Sequence, residues 1–124
     1  MNLSFLNYLT ELLFPRLCII CEDRLIKQEQ WICLHCLHHI PRTNYHLRTD
    51  NPVAQLFYGR VPIEFATSFF YFNKGSRYQT LLHNLKYKGM KDLGEEIGKH
   101  FGIDLMRSPG FSSVDVICPV PLHP

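Results

Sequence analysis

Long hydrophobic runs are missing from this sequence. No stretch of about 18 uncharged apolar residues occurs, so no segment reads as a membrane span. A strong charge of either sign is missing too: 13 Lys+Arg against 11 Asp+Glu leave +2. That is too little to argue globally for a nucleic-acid partner. Gly-rich phosphate cradles are absent, which removes the common nucleotide-binding loops. The apolar start, Asn2 to Phe14, lacks a basic leader, carries Glu11, and is not followed by a small-residue cleavage site. The expectation is a cytoplasmic protein. With 46% hydrophobic and 19% charged residues in 124, the chain is too apolar for a disordered tail. One local asymmetry stands out. From Lys74 to Lys91 five basic residues (Lys74, Arg77, Lys86, Lys88, Lys91) occur with no acidic one. They form either a solvated helix face or an anion-facing surface.

What is present is cysteine in a pattern. Cys18-Ile-Ile-Cys21 and Cys33-Leu-His-Cys36 are two CxxC turns with eleven residues between them. In a reducing cytosol disulfides are a poor explanation. Each CxxC turn sets two sulfurs on one side of the backbone, and two turns supply the four soft ligands of a tetrahedral ion. A structural Zn²⁺ on Cys18, Cys21, Cys33 and Cys36 is the expectation; iron remains the competitor, since four thiolates do not by themselves choose the metal. His35 lies inside the second turn and His38, His39 and His46 follow, so a histidine could compete as ligand. Bound metal would supply much of the folding free energy of so small a segment.

Along the chain, Ser4 and the Leu6, Leu9, Leu12, Leu13 spacing predict a first helix ended by Pro15. Residues 16–40 read as two knuckles with short strands, and 41–62 as a connector broken by Pro41, Asn44, Asp50-Asn51-Pro52, Gly59 and Pro62. Within it, 53–57 reads as one helical turn. Phe65–Phe72, aromatic and uncharged, predicts a buried strand. After the Asn73-Lys74-Gly75 turn, Ser76 is a candidate cap for a helix with the stripe Tyr78, Leu81, Leu82, Leu85, ended or kinked by Gly89. Asp92 to Glu95 resembles a capping box, and Leu93, Ile97, Phe101 and Leu105 stripe a second helix closed by Ser108-Pro109-Gly110. Val114–Cys118 predicts a parallel strand buried on both faces, which wants a neighbour on each side. With one earlier strand available, the chain reads as cut off after the Pro119-Val120-Pro121 loop, at His123-Pro124. Its bare strand edge would template self-association. Cys118 reads as a small core residue.

The ordered series resembles the ComF family, which includes GntX-like proteins. The residues that carry the resemblance are Phe14 to Cys21, the Cys33/Cys36 pair, Phe70-Tyr71, Leu81 to Gly89 with Leu93, and Asp115 to Leu122. It implies an N-terminal four-cysteine zinc ribbon over 1–47, followed over 48–124 by an incomplete type I phosphoribosyltransferase-like α/β domain. It also implies that Pro119, Val120 and Pro121 form a pyrophosphate-side loop, with Lys86 contributing phosphate-side charge. The partners implied are phosphoribosyl pyrophosphate with Mg²⁺ in a full-length relative, and competence machinery acting in DNA uptake. The family's acidic pair before Thr-Thr-Gly, the loop that holds the ribose and 5′-phosphate, is absent, so this chain alone is expected to be inactive. Glu22 also stands where the family often has glycine. The alternative, from another class, is a stand-alone zinc-ribbon module. It would bind single-stranded nucleic acid through Tyr78, Tyr87 and the basic stretch, or bind a protein partner.

Overall fold

The computed structural model describes residues 10–120. It divides into two compact units interleaved along the chain: Met1–Pro41 with Tyr71–Glu95, and Arg42–Phe70 with Glu96–Pro124. The helices are α1 (Leu34–His38), α2 (Pro52–Gln55), α3 (Gln79–Tyr87), α4 (Lys91–Met106) and α5 (Pro109–Ser112), with a 3₁₀ turn at Tyr45–Leu47. Residues 10–13 are also helical, with Leu12 and Leu13 exposed. The Ser4 cap and the leucines at 6 and 9 lie outside the described residues.

In the first unit, α3 and the start of α4 follow their periodic patterns. Leu81 and Leu93 are fully buried, with Leu82 and Leu85 half-buried beside them. The helix begins later than Ser76 predicts. Ser76 Oγ accepts from the Tyr78 N–H at 3.2 Å, a side-chain turn that leaves Gln79 as the first helical residue. Gly89, at φ +60°, ends α3 in the left-handed conformation that suits glycine. The capping box does not form either. The helix starts at Lys91 and takes Asp92 into its first turn, where a carboxylate meets the positive end of the dipole.

The second unit is held by side chains bonding to irregular backbone. Asn51 caps α2: its Oδ1 accepts from Val53 N–H at 3.0 Å and Ala54 N–H at 3.1 Å. Its Nδ2 donates to the carbonyls of Arg48 and Ala66, both at 2.9 Å, and to that of Tyr45 at 3.4 Å. Pro52 at the first helical position loses nothing there. Asp104, buried on α4, pairs with Arg42 at 2.8 Å, and the Arg42 guanidinium lies over the Phe69 ring. Phe69 packs on Phe101 with centroids 5.1 Å apart, and Phe65 on Phe111 at 5.7 Å. Ser108 Oγ donates to the His46 carbonyl at 2.6 Å.

The expected α/β class is overturned: the described residues are helical and contain no sheet. Two isolated antiparallel bridges, Leu17 with Arg24 and Arg42 with Phe70, are all the β-pairing among them. Neither the ribbon strands nor the phosphoribosyltransferase-like strands form. At 65–72 the reason is local competition. The carbonyls of Ala66 and Ser68 are taken by the Asn51 amide and the Thr43 hydroxyl, backbone pairing is confined to the single bridge at Phe70, and the aromatic rings find helical partners. At 114–118 no described extended segment offers an edge to pair with. Val116 and Ile117 are 73% and 90% exposed, so the doubly buried parallel strand does not exist. Cys118, expected in a core, is exposed.

Candidate metal centre

The cysteine segment builds its site from turns. Cys18 N–H donates to the Asp23 carbonyl at 2.8 Å and Glu22 N–H to the Cys18 carbonyl at 2.9 Å, folding the first CxxC into a knuckle. Glu22 turns the chain at φ +63°, a left-handed conformation that is strained for a residue with a side chain. Ile19 N–H donates to the Trp31 carbonyl at 3.0 Å and ties the knuckle to the strand-like approach of the second pair. Cys33 then caps α1, its Sγ accepting from Cys36 N–H at 3.4 Å.

The loop between the pairs is clasped from both sides, which sequence reading missed. The Arg16 guanidinium donates to the carbonyls of Glu29 (3.0 Å) and Ile26 (3.3 Å). The Glu29 carboxylate accepts from Ile26 N–H at 2.9 Å and from Leu34 N–H, the first residue of α1, at 2.6 Å. Those two backbone donors hold the Glu29 carboxyl below the usual carboxylate range. The spacing carries no sequence signal: Glu29 meets a free N–H at the helix start from five residues before Leu34, outside any capping pattern.

These turns bring the four thiols together. The Sγ atoms of Cys18, Cys21, Cys33 and Cys36 all lie within 4.8 Å of one another, and Cys21 and Cys33 approach to 3.6 Å without a disulfide. Zn–S bonds of ~2.3 Å place tetrahedral sulfurs about 3.8 Å apart, so the cluster has the scale of one ion. Cys18 and Cys36 are 1% exposed, Cys33 is 8% exposed and Cys21 half-buried. Burial pushes the Cys18 thiol up, but hydrogen bonds from the backbone of Cys33, Cys21 and Ile20 outweigh it and bring the pKa down to about 7. Cys21 accepts a lowering bond from the Asp23 backbone, yet burial and contacts with Asp23 and Cys18 push it up to about 11. Burial, then contact with Cys21 and Cys33, pushes Cys36 further up. The Cys18 thiolate forms readily; the Cys21 and Cys36 thiols resist sharing so small a space with its negative charge. A cation at the centre removes that resistance, so the donor set fits a thiophilic ion. It is the one group of three or more metal-ligating side chains gathered among the described residues.

None of the remaining candidates joins the thiol cluster. His35, His38 and His39 are exposed and His46 half-buried, all apart from the thiol cluster. Lys86 is exposed on the last turn of α3. Pro119 and Val120 are exposed in an irregular tail, and Pro121 lies outside the described residues. Tyr78 is no stacking platform: half-buried, its hydroxyl donates to the Cys36 carbonyl at 3.3 Å and joins α3 to the second knuckle.

Compared with known proteins, the chain matches no family, no curated protein and no solved structure. The helical architecture without a sheet among the described residues corrects the resemblance to the ComF family, and with it the phosphoribosyltransferase activity, the competence role and the zinc-ribbon module as alternative. A pyrophosphate-side loop needs the carboxyl end of a parallel strand beneath it, and residues 114–120 have no such strand. The partners fall with it. No described group supports phosphoribosyl pyrophosphate with Mg²⁺, competence proteins or single-stranded DNA, and among the described residues no sheet edge exists for self-association. Among the described residues no helix is long and apolar enough to cross a membrane.

Proposed function

We propose that Cys18, Cys21, Cys33 and Cys36 hold one Zn²⁺ as a structural ion, and that the chain is a metal-stabilised helical module. The observation that carries this is the convergence of four unpaired thiols, three of them buried, at the spacing of a single tetrahedral ion. Four protein ligands close the coordination sphere and leave no position for substrate, which makes the ion structural and not catalytic. Backbone N–H groups already aimed at Cys18 and Cys33 support thiolates in the way outer-shell donors do around bound metals. Zn²⁺ matches soft thiolate donors, undergoes no redox chemistry, and accepts a tetrahedral set without strain.

The test is elemental analysis of the full chain purified under reducing conditions without chelator. One zinc per chain and a colourless protein are expected. Iron with thiolate-to-metal absorption in the visible would replace zinc in this reading, and a metal-free folded protein would overturn it.

A further inference from the structure

The imidazoles of α1 play no part in the thiol cluster, yet their arrangement has a chemistry of its own. His35 lies on α1 and His39 caps its C-terminus four residues on, its N–H bonded to the His35 carbonyl, so the two side chains sit on the same side of the helix end. The ring centroids lie 4.3 Å apart with planes inclined by 33°, and the His38 ring stands 5.2 Å from that of His39. All three are exposed. His39 Nδ1 lies 2.8 Å from the His35 carbonyl oxygen. A carbonyl only accepts, so Nδ1 carries the proton and the neutral ring keeps its lone pair on Nε2. Metal-bound histidines use this arrangement: one ring nitrogen donates to a backbone carbonyl while the other ligates.

We propose that His35 and His39 form a second metal site, a two-imidazole chelate on α1 that takes one late first-row divalent cation. Imidazole suits Ni²⁺, Cu²⁺ and Zn²⁺ alike, and two protein ligands leave the rest of the coordination sphere to water. Such a site exchanges its ion, in contrast to a closed set of four thiols. His38 is placed to add a third imidazole by rotamer change, a picosecond-to-nanosecond motion for an exposed side chain. The pair stands on α1 whichever metal the thiols hold, so its failure and that of the zinc reading are separable.

Ni²⁺ is the probe, titrated by calorimetry into the untagged full chain with its purified metal in place, while metal released from the thiols is followed. One Ni²⁺ is expected to bind with no release, and His39→Asn or His35→Asn to weaken binding about tenfold or more. His83→Asn, whose ring instead packs on Tyr87, should leave binding unchanged. Undiminished binding in the doubly substituted chain overturns the proposal, as does stoichiometric release of thiol-bound metal as nickel enters. Paramagnetic broadening of the ring-proton resonances gives a readout without variants. It should fall first on His35 and His39, and broadening confined to other histidines overturns the site.

Discussion

Residues 16–40 and residues 42–70 are two stretches of similar length with little regular structure, and they solve the same problem differently. Each must satisfy a backbone that no long helix or sheet takes care of. The first gathers four thiols and buries Ile20, Ile32 and Ile40, and its turns bring the sulfurs to a spacing that fits one ion. The second gathers no thiol. It uses Asn51, Thr43 and the Arg42–Asp104 pair to bind irregular backbone and helix, with Phe65 and Phe69 packed on rings of the following segment. The lesson is that irregular chain becomes ordered through a few multivalent polar centres, and that such a centre can be an ion or an amide. The two differ in what removes them.

Removing the metal is the strongest way to split the comparison. Cys33→Ser should release the ion and unfold residues 16–40, since structural zinc in small modules contributes on the order of 10 kcal/mol. Amide hydrogen exchange should show protection lost there and retained over 42–70. Loss in both stretches together would mean that the second also depends on the ion.

Asn51→Ala is the mirror experiment. It removes a cap and leaves the Arg48 and Ala66 carbonyls without that donor, while the Tyr45 carbonyl keeps the Arg48 N–H, so a loss of about 2–4 kcal/mol is expected. Thermal unfolding should show it, with metal content unchanged. Asp104→Asn should cost less, about 1–2 kcal/mol, because Asn keeps the shape and a hydrogen bond but leaves the Arg42 charge unpaired in a part-buried site. Denaturant midpoints measure the difference, and Arg42→Met combined with Asp104→Asn should recover part of it. The smallest effect runs the other way. Glu22→Gly should stabilise by about 1 kcal/mol, since glycine adopts φ +63° without strain. A metal-competition titration reads this as slightly tighter ion retention.

Much of the first unit's helical structure was legible from the residues. The stripe through Leu81 and Leu85, the stop at Gly89, and the stripe through Leu93 are local patterns, and a helix satisfies its own backbone within a few residues. The same held for the helical turn read at 53–57, which forms as Pro52–Gln55, and for the two CxxC pairs, whose spacing brings sulfurs together. The clasp of Arg16 and Glu29, the role of Tyr78 at the Cys36 carbonyl, and the five bonds of Asn51 were not legible. Each joins residues whose separation has no periodicity.

The sequence by itself determined the longer helices and which four thiols can meet, because both depend on contacts between near neighbours in the chain; the short helices Leu34–His38 and Pro109–Ser112 were not read. Only the tertiary structure decided whether the apolar runs at 65–72 and 114–118 become strands. An alternating or apolar run is merely compatible with a sheet; it becomes one when a second extended segment meets its N–H and C=O groups. At 65–72 the Asn51 and Thr43 side chains take the Ala66 and Ser68 carbonyls and leave room for one bridge, Arg42 with Phe70; at 114–118 no described partner reaches the backbone. Hydrogen-bond partners distant in the chain are thus what separated the helical protein observed from the α/β protein its residues suggested.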